Sequence, residues 1–150
     1  MKALIRIGYK VAARLRRLYW FVFRPQTFGV KCVVVHDGKW LMIRNSYGNA
    51  QWTFPGGAID RGEQPADAAI REVREEVGIS LGSVEPIGFY TSDREYKHDT
   101  VHCFVANVLR PDHQIDMVEV IESAWFSPDA LPEGVGRAVA QVTELLEDAR

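Results

Sequence analysis

Hydrophobic residues at the start of the chain recur at helical rather than strand spacing. Stepped at about 100° per residue, Leu4, Ile7, Val11, Leu15, Leu18 and Val22 fall within one narrow arc, and Lys2, Arg6, Lys10, Arg14, Arg17 and Arg24 fall on the opposite side. The spacing predicts an amphipathic helix from residue 1 to about 23. Pro25 marks its end, because the residue before a proline avoids the helical region.

The period then shortens. Phe28 to Val35 is β-branched and aromatic, which predicts a strand. Asp37-Gly38 is a hairpin signal, with Trp40 to Ile43 as the return strand. Asn45 to Ala50 is a run of turn formers, and Gln51 to Phe54 a short strand stopped by Pro55-Gly56-Gly57. Pro65 suits a first helical turn, Ala68, Ala69, Val73 and Val77 follow at helical spacing, and Gly78 is a natural stop. A helix is expected from about Pro65 to Val77. Val84 to Tyr90, Thr100 to Leu109 and Val120 to Phe126 read as further strands, with a polar loop from Arg94 to Asp99. Val135 to Leu146 reads as a closing helix. Strands interleaved with helices predict an α/β sandwich.

Composition leaves that picture intact. The 150 residues suit one core, and 47% hydrophobic with 25% charged residues is an ordinary globular mix. Charge adds an asymmetry. Residues 1–36 carry eight basic residues (Lys2, Arg6, Lys10, Arg14, Arg16, Arg17, Arg24 and Lys31) and no acid, so all 20 acids lie in the remainder. The expected division is therefore a basic amphipathic leader, 1–25, and a globular domain, 26–150. A net charge of −2 argues against DNA as a partner. Two cysteines, Cys32 and Cys103, both in apolar strand-like runs, read as buried thiols in a reducing compartment. No apolar run reaches the ~18–20 residues of a membrane span, and Leu18 to Phe23 lacks a cleavage site, so no secretory signal is expected. A cytoplasmic protein is the expectation.

The chemistry concentrates in one stretch. Glu72, Glu75 and Glu76 stand at i, i+3 and i+4, so on a helix they share a face with Cβ atoms about 5–6 Å apart. Like charges that close repel unless something positive sits among them. Taken alone, the triplet also fits a solvated acidic face salted with Arg71 and Arg74. If the positive partner is a metal, oxygen-only ligands favour Mg²⁺ or Mn²⁺ over zinc, and Mg²⁺ characteristically borrows further oxygens from a substrate phosphate.

The surrounding spacing decides between them. Gly57, five residues, Glu63, seven residues, then Arg71-Glu72-Val73-Arg74-Glu75-Glu76-Val77-Gly78-Ile79 resembles the Nudix box at every defined position. The resemblance extends loosely from Phe28 to Leu131, including Trp52-Thr-Phe-Pro-Gly-Gly before the box and Ala124-Trp-Phe after it. It implies a Nudix-type α/β/α sandwich with a mixed sheet and a loop–helix–loop over the box. It implies metal ligation of Mg²⁺ (or Mn²⁺) by Glu72, Glu75, Glu76 and the Gly57 carbonyl, with Arg71 holding a box glutamate and Glu63 close by. The implied activity is metal-dependent cleavage of a phosphoanhydride bond in a nucleoside diphosphate linked to another moiety: ADP-ribose, a nucleotide sugar, a dinucleoside polyphosphate or a nucleoside triphosphate. The alternatives are RNA 5′-pyrophosphate removal and a non-catalytic nucleotide-binding module.

Other residues are weaker candidates. The water-activating base is expected to be Glu76 or Glu75, with Glu119 in reserve and Glu122 its neighbour. Trp52 and Tyr96 could stack on a base, although Trp52 fits a core strand equally well, and His98 could touch substrate. His98-Asp99-Thr100-Val101-His102 does not match a zinc-protease helix, because Asp99 follows the first histidine and the segment reads as strand. Selectivity is expected in the loops Tyr47 to Gln51 and Ser92 to Asp99. The leader, 1–25, is expected to dock on its own domain or a twin subunit, making a homodimer, or to lie peripherally on the inner membrane surface.

Overall fold

The computed structural model describes residues 2–149, and the side chains of these apart from residues 2–6, 9 and 95. The elements run α1 (Lys2–Phe23), β1 (Gln26–His36), β2 (Lys39–Asn45), β3 (Trp52–Thr53), α2 (Pro65–Val77), β4 (Glu85–Ser92), a 3-10 turn at Arg94–Tyr96, β5 (His98–Asn107), β6 (Val120–Phe126) and α3 (Arg137–Asp148). The strand order is β3-β2-β1-β5-β4, with β6 on β2. β1 and β5 pair in parallel and the remaining pairs are antiparallel, so the sheet is mixed.

Alternation along β1 divides the core into two layers. Val30, Cys32 and Val34 pack with Ala69, Val73 and Val77 of α2. Val33 joins Val139, Val142 and Leu146 of α3 on the other face. Each of these buried side chains contributes about 1.5–3 kcal/mol, and together they clamp the sheet between helices. The α/β/α sandwich is the observed architecture.

β1 and β2 pair only beside their hairpin, at Val35–Trp40 and His36–Lys39, and then splay apart. The segment after β3 fills the gap. Thr53 pairs with Ile43 of β2, while Cys32 N–H donates to Pro55 O at 2.9 Å and Val30 N–H to Gly57 O at 2.9 Å. Gly56 and Gly57 are thus bonded into the sheet rather than left in a free loop.

Sequence and structure differ at several edges. The strand expected over Gln51–Phe54 keeps two residues, because the chain turns to follow β1. Val135 bridges to Trp52, and Gly136 N–H donates to Trp52 O at 2.8 Å, so the closing helix begins at Arg137. The loop expected over Arg94–Asp99 holds a 3-10 turn and the first residues of β5.

The leading helix forms over the expected residues and turns its apolar stripe outward. Its apolar stripe does not cover the domain: Ile7, Val11, Leu15, Leu18 and Val22 are each more than half exposed. The basic side is the one turned toward the domain, where Lys10, Arg14, Arg16 and Arg17 line a cavity. The last turns of α1 make the attachment. Phe21 meets the Tyr96 ring edge-on at 4.9 Å, and Lys97 Nζ lies 4.1 Å from the Trp20 ring. Arg24 closes the helix at φ 43, its N–H donating to Trp20 O at 2.8 Å. Among the described residues no helix is long and apolar enough to cross a membrane.

A Cβ on Gly56 would sit 2.0 Å from the Val30 carbonyl oxygen, a backbone clash that no rotamer relieves. Gly56→Ala is expected to cost about 2–4 kcal/mol of stability, read as a lowered denaturant midpoint in chemical unfolding.

Candidate active site

Helix α2 begins at Pro65, with Asp67 in its first turn complementing the helix dipole, and ends at left-handed Gly78 (φ 69), whose N–H donates to Arg74 O. Its buried side is not wholly apolar. Ala68, Ala69, Val73 and Val77 are joined there by Glu72 and Glu76, which are 9% and 2% exposed. The third member of the triplet differs, since the Glu75 side chain is 53% exposed. The solvated acidic face that the bare triplet allowed is therefore not what forms.

Arg71 organises the exposed edge. Its Nε and Nη2 donate to the two oxygens of Glu63 at 2.8 and 2.9 Å, a bidentate pair. Its Nη1 donates to Glu72 Oε1 at 2.8 Å and to Glu75 Oε2 at 3.2 Å, and Nη2 also reaches Ala58 O at 2.9 Å. Glu63 Oε2 accepts the Asp60 N–H at 2.9 Å as well. The Arg71 bonds, then that backbone bond, hold the Glu63 carboxyl down at about 2.

Glu76 faces the opposite way. Its Oε2 accepts the Gly56 N–H at 2.8 Å. Burial pushes its carboxyl up to about 8, against the pull of nearby Lys31. Burial also raises Glu72, opposed by Arg71. Lys31 is half-buried: desolvation lowers its ammonium, Glu76 opposes that most strongly, and Nζ donates to Phe54 O at 2.9 Å.

Glu72, Glu76 and Glu119 line a cavity of about 260 Å³ with Gly56, Gly57 and, from α1, Arg16. A Cβ on Gly57 would lie 2.6 Å from the Glu72 carboxylate, so only glycine lets that carboxylate sit against the strip. The Gly57 carbonyl accepts one hydrogen bond, from Val30, and keeps a second lone pair. Among the described residues no three acidic, imidazole or thiol groups converge tightly on one point, and Arg71 stands between Glu72 and Glu75. The donor chemistry nevertheless fits a hard divalent cation: all-oxygen donors, two of them carboxylates drawn out of water and in need of positive charge.

A second cavity of about 620 Å³ adjoins the first through Arg16 and Tyr47. Tyr47 to Gln51 and Arg94 line it, together with Lys31, Asn45 and Arg137. Asn45 Oδ1 is buried with no hydrogen-bond partner. Sequence reading missed Lys31, although a lone lysine within an apolar strand is a signal; Asn45, Arg16 and Arg137 gave none.

The candidates for base contact lie elsewhere. Trp52 is a core residue, edge-on to Phe126 at 5.0 Å with the Arg44 guanidinium 5.8 Å from its ring. Tyr96 is exposed and meets Phe21 on one side. His98 is exposed and bonded to Asp93. Glu122 pairs with Arg44 at 2.9 Å, whereas Glu119 faces the carboxylate cavity.

The depressed Glu63 carboxyl sets a sign. Ionised Glu63 stabilises the fold above the ordinary glutamate value, and that stability fades as pH falls from about 4.5 toward about 2. Glu63→Gln is expected to lower Tm most at pH 6–7, with the deficit shrinking steadily as thermal melts are taken below pH 4.5.

Comparison with known proteins places this site in a family. Residues 25–146 match the model of the NUDIX domain. A Bacillus subtilis (strain 168) protein named "Putative 8-oxo-dGTP diphosphatase" is 29% identical over 106 residues, 71% of this chain and 70% of that protein. A "MutT-like protein" of Streptomyces ambofaciens is 32% identical over 112 residues, 72% of this chain and 68% of that one. The crystal structure of a MutT NUDIX hydrolase from Burkholderia pseudomallei has a TM-score of 0.74 at 23% identity, covering 81% of this chain and 98% of that one, a likeness of fold. With the box complete from Gly57 to Ile79 and the domain model matched over most of its length, the chain belongs to the Nudix family of hydrolases.

Proposed function

We propose that this hydrolase cleaves a phosphoanhydride bond in a nucleoside diphosphate linked to another moiety, with Mg²⁺ or Mn²⁺ held by Glu72, Glu75, Glu76 and the Gly57 carbonyl. The observation that carries this is the pair of buried carboxylates, Glu72 and Glu76, meeting a glycine strip at a cavity that opens into a cation-lined one. A divalent ion there supplies neutralising charge for the phosphate oxygens and acidifies a bound water.

The protein's own groups supply the rest. Arg71 fixes Glu63 and Glu72, so the Glu72 carboxylate does not have to be ordered during reaction. Glu76, held by the Gly56 N–H, is the first candidate to accept a proton from the attacking water, with Glu75 and Glu119 the others. Lys31 and Arg16 reach phosphate oxygens from the neighbouring cavity, and Asn45 Oδ1 offers an acceptor to a sugar hydroxyl or base amine. An 8-oxo-dGTP diphosphatase name among the relatives favours a nucleoside triphosphate within the substrate class. The non-catalytic alternative is disfavoured because every carboxylate of the box is present.

The test is a phosphate-release screen over nucleoside triphosphates, ADP-ribose, nucleotide sugars, dinucleoside polyphosphates and 5′-triphosphate RNA, with Mg²⁺ and Mn²⁺. Glu75→Gln and Glu76→Gln are each expected to lower kcat at least ~100-fold, with circular dichroism unchanged. Turnover within a few-fold of wild type in both variants would remove the site assignment.

We further propose that the outward stripe of α1 is covered by a second copy of the chain. Among the described residues Lys10, Arg14, Arg16 and Arg17 line the cavity, which draws these cations away from the apolar stripe and disfavours an anionic membrane as its cover. The buried, unpaired cysteines favour a reducing, cytoplasmic setting. Wild type is expected to run as a dimer in light scattering and Leu15→Gln/Leu18→Gln as a monomer. A monomeric wild type that pellets with anionic vesicles would point to lipid instead.

A further inference from the structure

The second cavity is unusual in its charge. Helix α1 contributes Lys10, Arg14, Arg16 and Arg17 to its wall, and the domain adds Lys31, Arg94 and Arg137. Among the described residues lining it there is no aspartate or glutamate. Arg14 and Arg17 are three apart on the helix and repel each other. Only part of this charge is occupied: Arg16 lies 5.0 Å from the Trp20 ring, and Lys31 donates to Phe54 O. Clustered cations around an open volume imply an anion that is bound there.

Position narrows the anion. Arg16 and Tyr47 are common to this cavity and to the one holding Glu72, Glu76 and Glu119. A ligand can therefore run from the carboxylate end into the cationic end without leaving the groove. The volume, about 620 Å³, is enough for a small molecule. Arg17, Arg94 and Arg137 continue the cationic wall into a third, larger depression. One or two phosphates at the carboxylate end would leave most of these cations unpaired. A longer chain of phosphates would engage them.

We propose that α1, which lies outside the residues matching the NUDIX model, is a cationic lid forming a subsite for a polyphosphate chain of three or more phosphates. The inference rests on the proposed hydrolase reading for its substrate but not for its ligand contact. The helix presents guanidinium groups, which pair phosphates bidentately. Its hold on Tyr96 and Lys97 sets it across the mouth of the site. The lid thereby selects by phosphate number, a property the metal end does not determine.

The test uses full-length protein in EDTA and inorganic tripolyphosphate as the probe, read by calorimetry. Wild type is expected to bind tripolyphosphate at least tenfold more tightly than pyrophosphate, with affinity falling as salt rises. Arg14→Gln/Arg17→Gln is expected to lose that preference at least tenfold, with helix content unchanged because glutamine is as good a helix former as arginine. Leu15→Gln/Leu18→Gln, on the outer side, is expected to keep it. Equal affinity of wild type and Arg14→Gln/Arg17→Gln for tripolyphosphate overturns the proposal, as does no preference over pyrophosphate. Competition by a nucleoside triphosphate or by a short 5′-triphosphorylated RNA then identifies the source of the phosphates. Glu76→Gln separates the two readings: if the wild type hydrolyses nothing yet both proteins bind tripolyphosphate, the hydrolase reading fails and the lid stands.

Discussion

Keeping two carboxylates out of water within one turn of a helix is the constraint on which this structure turns. Glu72 and Glu76 lie on the buried side of α2 among Ala69, Val73 and Val77. Burial alone would neutralise them, and burial is the largest influence on both. What opposes that neutralisation is local. Arg71 bonds Glu72, while the Gly56 N–H bonds Glu76 and Lys31 lies near it. Those counter-groups come from three places: the helix itself, the glycine strip, and the centre of the sheet. The site is therefore a property of how α2, the strip and β1 are assembled.

The assembly explains the glycines. Gly57 carries no side chain because the Glu72 carboxylate occupies that space, and Gly56 none because the Val30 carbonyl does. The strip's bonds to β1 tie both positions to the same strand that carries Lys31. Any displacement of β1 relative to α2 would move the lysine and the strip together, away from the glutamates.

Most of the carboxylate end was legible in the sequence. Helix α2 falls where Pro65, the apolar repeat and Gly78 put it, and β6 covers Val120 to Phe126 as its pattern indicates. The glutamate triplet is readable because helical geometry is regular. The inequality within it is not: burial of Glu72 and Glu76 but not Glu75 depends on which way α2 rolls onto the sheet. The aromatic candidates show a related limit. Trp52 and Tyr96 look like base-stacking residues from their types, and only the structure shows Trp52 buried against Phe126 and Tyr96 in contact with Phe21. The leading helix was legible as amphipathic, but which side faces the domain was not. Periodicity gives the two faces of a helix, and only long-range contacts such as Phe21 on Tyr96 say which one is turned inward.

The splay of β1 from β2 has an evolutionary corollary. The strip that fills the split is anchored on both flanks by main-chain bonds, which are indifferent to side-chain identity. The lining loops and the leading helix hang from other parts of the framework, at Asn45 and beyond Ser92. Recognition can drift by mutation while the reaction centre stays in register, so a lineage could exchange one phosphorylated compound for another without rebuilding its chemistry.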